Sequence, residues 1–425
     1  MLNHKEILDL RGKHLGPSLS VSYDEPLHIV RGEAQYLFDA KGNRYLDCVN
    51  NIQHVGHCHP KVVEAAQQQY KKLNTNTRYL DETIVNYAKE LTATMPDGLD
   101  VCFFTNSGSE ANDLALLMAR NFTNSKETIV LKGAYHGNLS SLIEISPYKH
   151  NGPGGSGTPD HVHVISIPGP YRGKYKGAEW SEQYVQEVQN AIAEIQSTGK
   201  NVSAFIVEAL MGCGGQLLLP KGFLKESFAK VKNAGGVCIA DEIQIGFGRM
   251  GSHFWGFESE GTIPDIVTMG KSMGNGHPLS AVVTTREMAE SFNNGMEYFN
   301  SFGGNPVSCA VGQAVLNVIK EEDLQENALA VGSYLLERLK KLQMQHNLIG
   351  EVRGRGLFIG IELIKDDAPA AAEARTMVNQ MKDKGLLLST DGPDHNVIKI
   401  KPPMVFNKEN ADELVKKLDE IMTKK

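Results

Sequence analysis

Short apolar runs punctuate the middle of the chain, at residues 101–104, 129–131, 162–167, 204–207, 236–240, 266–269 and 281–284. Each is too short for a helix, and most are apolar throughout, so they predict strands buried on both faces. Between them lie stretches with helical spacing of apolar positions, at 110–121, 184–197 and 224–233. Alternating strands and helices predict an α/β fold with a mostly parallel sheet covered on both sides. Residues 305–320 predict a long helix leading out of this core. Beyond it, helical patterns at 328–345, 370–384 and 408–422, with strands between, predict a smaller α+β domain. At the other end, residues 1 to about 50 predict a helix and then strand pairs, with a turn at Asp39-Ala40-Lys41-Gly42-Asn43. The expected division is an N-terminal segment, 1–55, joining the small domain; a large domain, 56–320; and the small domain, 321–425.

Two of the apolar runs end on polar residues with chemistry to offer. Asp241 follows Gly236-Val237-Cys238-Ile239-Ala240, and Lys271 closes Asp265-Ile266-Val267-Thr268-Met269-Gly270. Open α/β sheets bind their ligands at the carboxyl ends of the strands, where this pair is delivered. An acid and a lysine so presented suit pyridoxal phosphate. The lysine forms the Schiff base, and the acid pairs with the protonated pyridine nitrogen to keep the ring an electron sink. A helix-capping aspartate beside an ordinary strand-end lysine is the alternative on these two residues alone.

Composition narrows the class without changing it. The chain has 425 residues, 41% hydrophobic and 22% charged, as expected of a globular enzyme. A net charge of −7 without a basic stripe predicts no nucleic-acid partner. No run approaches the roughly 18 apolar residues of a membrane span. The polar start lacks a secretory core, and six cysteines show no Cys-x-x-Cys spacing. These features predict reduced thiols and a cytoplasmic location. Histidines 54, 57 and 59 lack a matching distant ligand motif, so no metal site is expected.

Thr105-Asn106-Ser107-Gly108-Ser109-Glu110-Ala111-Asn112 follows a predicted strand and opens a predicted helix. Glycine permits close backbone approach, and the serine hydroxyls with the free helix N–H groups can bind a phosphate; a simply capped helix start uses the same residues. Tyr135, after the 129–131 strand, can stack on a pyridine or pack within its loop. The Gly-rich stretch 151–157 neither follows a strand nor opens a helix, and is expected to be a mobile surface flap rather than a phosphate loop.

With these motifs in place, the chain resembles the class III aminotransferases, fold-type-I pyridoxal phosphate enzymes. The resemblance runs from Gly42-Asn43-Arg44 to Lys401-Pro402-Pro403, through Gly56-His57-Cys58-His59-Pro60, Asn106-Ser107-Gly108-Ser109-Glu110, Asp241-Glu242-Ile243-Gln244 and Phe302-Gly303-Gly304-Asn305-Pro306. It implies that Lys271 is the Schiff-base lysine and general base and that Asp241 pairs with the ring nitrogen. It also implies that Gln244 contacts the ring hydroxyl, that Tyr135 and Ile243 sandwich the ring, and that Ser107, Gly108 and Ser109 hold the phosphate. The family's usual threonine before Phe-Gly-Gly-Asn-Pro is Ser301 here, expected to reach the phosphate of the other subunit. That implies a homodimer with shared active sites, alone or within a tetramer.

Many family members bind an α-carboxylate through an arginine three residues before the Pro-Pro pair. A glutamate five residues after that of a Val-Glu-Pro motif neutralises this arginine when another substrate binds. Here those positions are Lys399 and Cys213, and Val207-Glu208-Ala209 replaces Val-Glu-Pro. A planar fork has become an ammonium point charge, and its switch partner is gone. More narrowly, the chain is similar to the phospho-lyase branch of the family, which acts on ethanolamine phosphate or 5-phosphohydroxylysine. Shared stretches include Val49-Asn50-Asn51-Ile52-Gln53-His54 and Ile398-Lys399-Ile400-Lys401-Pro402-Pro403. A small phosphorylated amine, ethanolamine phosphate first, is the expected substrate, with Arg78, Lys399, Lys401, Asn50 and Asn51 as its expected ligands. An ordinary class III aminotransferase is the rival expectation.

Overall fold

The computed structural model describes residues 2–169, 171–176 and 180–423. Its centre is a seven-stranded sheet. Across the sheet the strands run Val101–Thr105, Ser280–Thr284, Ile266–Met269, Val237–Asp241, Val202–Val207, Glu127–Leu131 and Val162–Ile165. Ser280–Thr284 is antiparallel to both neighbours, and the remaining strands share one direction. The mostly parallel sheet expected from the strand–helix alternation is therefore present.

Side-chain alternation along each strand divides the core in two. Val237, Ile239, Ala204, Ile206 and Val282 face one way and pack with Ala111, Leu114, Ala115 and Met118 of the helix Gly108–Thr123. Cys238, Ala240, Phe205 and Val207 face the other, among Val188, Ile192, Leu224 and Phe228 of the helices Trp180–Ser197 and Phe223–Asn233. Each fully buried Val, Ile, Leu or Phe contributes roughly 1.5–3 kcal/mol relative to exposure, so both faces must be covered. The 162–167 run stops short as a strand. Ser166 donates its backbone N–H to Glu187 Oε2 at 2.6 Å and its hydroxyl to Oε1 at 3.0 Å, which ends the ladder at Ile165.

The helix Pro306–Glu321 packs against Pro60–Lys72 and Glu82–Thr92. The chain then enters a second sheet of Ile349–Arg355, Phe358–Lys365, Val397–Ile400 and Ser389–Asp391, antiparallel throughout. A third sheet joins the two ends of the chain, because Arg44–Asp47 pairs in parallel with Leu386–Leu387. The predicted turn before it forms as an Asx turn, with Asp39 Oδ1 accepting from the N–H groups of Lys41 and Asn43 at 2.9 Å each. The Gly-rich stretch folds back on the preceding short helix, Gly157 donating to the His150 carbonyl at 2.8 Å. Among the described residues no helix is long and apolar enough to cross a membrane.

Candidate active site

Asp241 ends its strand in register with Thr268 of the parallel neighbour, and Lys271 lies two residues past the end of that neighbour at Met269. The strand pairing therefore brings the acid and the amine to one sheet edge. Asp241 is buried, and its Oδ2 accepts from Asn112 Nδ2 and pairs with His136 Nδ1, each at 2.8 Å. Asn112 is itself fixed. It gives a second hydrogen bond to the His136 carbonyl at 2.8 Å, and its Oδ1 accepts from the Thr268 hydroxyl at 2.6 Å. All of this converges on one carboxylate oxygen. The other, Oδ1, takes only the N–H of Ile243, at 3.2 Å, among the described residues.

The helix Gly108–Thr123 starts at the same edge. Ser107 caps it, accepting from the Glu110 N–H at 3.2 Å, so the first-turn N–H groups around Gly108 and Ser109 are presented to the site. Gly108 has to be glycine. A Cβ there would stand 2.7 Å from Ile243 Cδ1 and 3.0 Å from its Cγ2, and a Cβ on Gly270 would in turn lie 3.4 Å from the Gly108 backbone. Ser107, Gly108, Ser109, Tyr135, His136, Gly137, Glu208, Asp241, Ile243, Gln244 and Lys271 together line one cavity of about 120 Å³. Burial, with a smaller contribution from Cys213, raises the Tyr135 phenol above its ordinary range.

Behind this cavity lies a polar chain. Lys401 Nζ donates to Gln244 Oε1 at 2.8 Å, and Gln244 Nε2 donates to Glu208 Oε1 at 3.4 Å. Glu208 Oε2 is buried and has no partner among the described residues. Burial, reinforced by Asp241, pushes the Glu208 carboxyl up to about 8. Burial lowers Lys401 to about 8, although Asp391 opposes the shift. Lys399, one pleat back along the strand, stays partly exposed and lies 3.5 Å from Asp391 Oδ2, against 4.0 Å for Lys401.

The class III aminotransferase profile matches residues 19–422. The chain belongs to the class III aminotransferase family. It is accordingly a fold-type-I enzyme that uses pyridoxal phosphate. Over 433 residues it is 51% identical to alanine–glyoxylate aminotransferase 2-like of Drosophila melanogaster, covering 99% of this chain and 88% of that protein. It is 42% identical to ethanolamine-phosphate phospho-lyase homolog 1 of Caenorhabditis elegans, covering 99% and 93%. Among solved structures, a phospholyase from Arthrobacter in complex with phosphoethanolamine superposes with a TM-score of 0.94 at 40% identity, covering 98% of this chain and 99% of that one.

The cavity of this family member fits the cofactor. Asp241, which lines the cavity, would meet a pyridinium N–H, and the capped first turn at Ser107–Ser109, which also lines it, would meet a phosphate. Tyr135 and Ile243 provide two walls, and Lys271 makes no hydrogen bond or ion pair among the described residues.

The expected substrate ligands are placed unevenly. Lys401 was expected to meet the substrate phosphate. It is instead only 2% exposed and turned onto Gln244, with the Phe358 ring centroid 4.9 Å from its ammonium. Arg78 does not line the cavity; it is exposed, bonded to Glu297 at 2.7 Å and stacked over Phe299 at 4.2 Å. Asn50 and Asn51 sit on the loop after Asp47, outside the cavity lining, and the amide nitrogen of Asn51 is buried without a partner among the described residues. Ser301 is exposed and also outside the lining, on a loop that Asn300 ties to Asn106 and Glu110.

Three residues of the site carried no role in the sequence reading. His136 had a signal, since it follows Tyr135 directly. Asn112 had another, as a polar residue on an apolar helix stripe. Glu208 offered less, since a strand-end glutamate in an apolar run is an ordinary strand ending.

Proposed function

We propose that this enzyme is a pyridoxal phosphate-dependent phospho-lyase acting on a small phosphorylated amine, with ethanolamine phosphate as its first substrate. The observation that carries the reading is a pair of substitutions beside Lys401, outside the cavity lining itself. A partly exposed ammonium, Lys399, stands where many relatives have a carboxylate-binding arginine, and Cys213 stands in place of the switch glutamate. Burial and Asp391 push the Cys213 thiol up to about 12, so it is neutral at physiological pH and offers Lys399 no charge. The likeness to a phospholyase solved with phosphoethanolamine supports the same reading. The identity to the Drosophila aminotransferase 2-like protein favours the second reading, a class III aminotransferase.

When bound, the cofactor supplies an electron sink for the carbon that bears the amine. Lys271 removes a proton from that carbon as general base. The electron pair left behind expels phosphate by breaking the adjacent C–O bond, and water then releases acetaldehyde and ammonia. Asp241 holds the ring nitrogen protonated, with His136 and Asn112 fixing the carboxylate. Lys399 meets the substrate phosphate and stabilises its departing charge. An aminotransferase would use the same Lys271 to return the proton to the cofactor, so the phosphate decides which reaction follows.

Ser301 and Arg78 belong to the partner's site in this reading. They border a face that exposes Tyr79, Leu80, Val85, Met296 and Phe302, more apolar surface than a solvated face needs. A homodimer covers it and brings Ser301 to the other cofactor phosphate. The proposed location is the cytoplasm.

The test is product release from the loaded enzyme given ethanolamine phosphate and no keto acid. Phosphate and ammonia in equal amounts over many turnovers are expected. A single turnover that stalls without phosphate makes it an aminotransferase, and faster release from 5-phosphohydroxylysine moves the preferred substrate.

A further inference from the structure

We propose that Lys401 is a positioning residue for the cofactor: its ammonium fixes the amide of Gln244 so that the NH2 group, not the carbonyl oxygen, is turned toward the cleft and receives the cofactor's ring oxygen as an acceptor. The inference rests on the reading that Gln244 meets the ring hydroxyl, and it assigns to Lys401 a role distinct from that of Lys399.

The argument starts from what each group can donate. A lysine ammonium has three donors and no acceptor, so the atom of Gln244 that meets Lys401 Nζ at 2.8 Å has to be the carbonyl oxygen. The NH2 group then lies on the other side of the amide. One of its hydrogens goes to Glu208 Oε1 at 3.4 Å, and the second is left for the cavity that Gln244 lines. Packing fixes where the amide sits, while the hydrogen bond to Lys401 decides which end is the oxygen. Gly212 presses on the amide so closely that a Cβ there would lie 2.5 Å from Nε2. Lys401 is itself anchored: it is 2% exposed, the Phe358 ring lies beneath its ammonium, and its backbone N–H donates to the Cys48 carbonyl at 2.9 Å.

The charged and titratable groups around this ammonium come from several elements. They are Asp391 and Lys399 on the strands of the second sheet, Cys213 on the loop after Leu210–Met211, and Glu208 at the end of Val202–Val207. Asp391 is the nearest anion at 4.0 Å, outside hydrogen-bond distance, so the short contact of Lys401 is the one to Gln244. A fixed donor with a cation behind it stabilises negative charge on the ring oxygen. With the cofactor bound, loss of both would leave its ring oxygen less stabilised as an anion, so the bound cofactor would lose its proton at higher pH.

The measurement is the pH midpoint of the visible absorbance change of the pyridoxal phosphate-loaded protein, without substrate, in wild type, Lys401→Met, Gln244→Ala and the double variant. Lys401→Met is expected to raise the midpoint by about one pH unit or more in the wild-type background. In the Gln244→Ala background the same change should move it by less than about a third as much, because Lys401 acts through the amide. Equal shifts in both backgrounds, or none in either, overturn the proposal. Should Lys401→Met fail to load cofactor, Lys401→Gln carries the comparison, since its neutral amide loses the cation and can offer Gln244 an acceptor as readily as a donor. A midpoint raised by about half a unit or more is then expected, and a midpoint equal to wild type overturns the proposal. Because no substrate is present, a failure of the phospho-lyase reading leaves this result unchanged.

Discussion

Asp241 and Asp391 are buried to a similar degree and each ends a strand, yet their surroundings differ in kind. Asp241 lines the cavity, held by an amide and a histidine on one oxygen and by a backbone N–H at 3.2 Å on the other. Asp391 faces two lysines at 3.5 and 4.0 Å and takes a hydrogen bond from Gln216 at 3.3 Å, all at Oδ2. The first aspartate is arranged to meet a cation that the protein does not itself carry. The second offsets cations that the protein does carry, and so lets two ammonium groups lie a pleat apart on one strand. In the proposed reading, the difference separates a half of the site that would hold the cofactor from a half that would sort charge at the substrate's entrance.

The cofactor half is the more sensitive to loss. Lys271→Ala should lower phosphate release by at least about 10²–10⁴-fold, the usual weight of a general base, even with cofactor bound through its phosphate. Near-normal release from this variant would remove Lys271 from the chemistry.

On the other side, Lys399→Met should cost about 2–4 kcal/mol in the elimination transition state, as for comparable preorganised charges. An unphosphorylated amine should bind the same variant almost as it binds wild type. An equal loss for both substrates would make Lys399 a strand residue with no part in phosphate recognition.

The Asp241 corner can be probed more gently. His136→Ala removes a hydrogen bond to a charged group, worth about 1.5–3 kcal/mol, so kcat should fall by roughly one to two orders of magnitude. Steady-state kinetics with unchanged KM would place the loss in the chemical step. A loss confined to KM would show that His136 does not support Asp241.

The placement of Asp241, Lys271 and Ser107 at one end of the sheet was legible in the sequence because local rules fix it. An apolar run that ends in a polar residue delivers Asp241 and Lys271 to a strand end, and Ser107 before a helical pattern marks a cap. What escaped was pairing over distance. His136 meets Asp241 across 105 residues, and Lys401 meets Gln244 across 157. The two-residue period did place Lys399 and Lys401 on one side of their strand, and both approach the same oxygen of Asp391. It could not tell that the second is turned onto an amide at its own end. Arg78 escaped for a different reason. Its neighbours Glu297 and Phe299 lie on the same exposed face, where no strand end or helix cap marks a position in the sequence.

A smaller effect concerns stability. Glu208 rises from an ordinary 4.5 to about 8 on folding. Between those values the native state keeps a proton that the unfolded chain has lost, so stability falls as pH rises through that window. Glu208→Gln should remove up to about 1.4 kcal/mol per pH unit of that slope in the cofactor-free protein, read by denaturant unfolding at several pH values. An unchanged slope would mean that Glu208 is ionised in the fold.

The separation of the two lysines is tested most directly by placing Lys399→Met and Lys401→Met side by side on the loaded enzyme. Each is measured for the pH midpoint of its visible band and for the KM of ethanolamine phosphate. Lys401→Met is expected to move the midpoint by about one unit with the smaller change in KM, and Lys399→Met to raise KM with the midpoint nearly fixed. The same response from both variants would contradict the division of the site into a cofactor half and a substrate half.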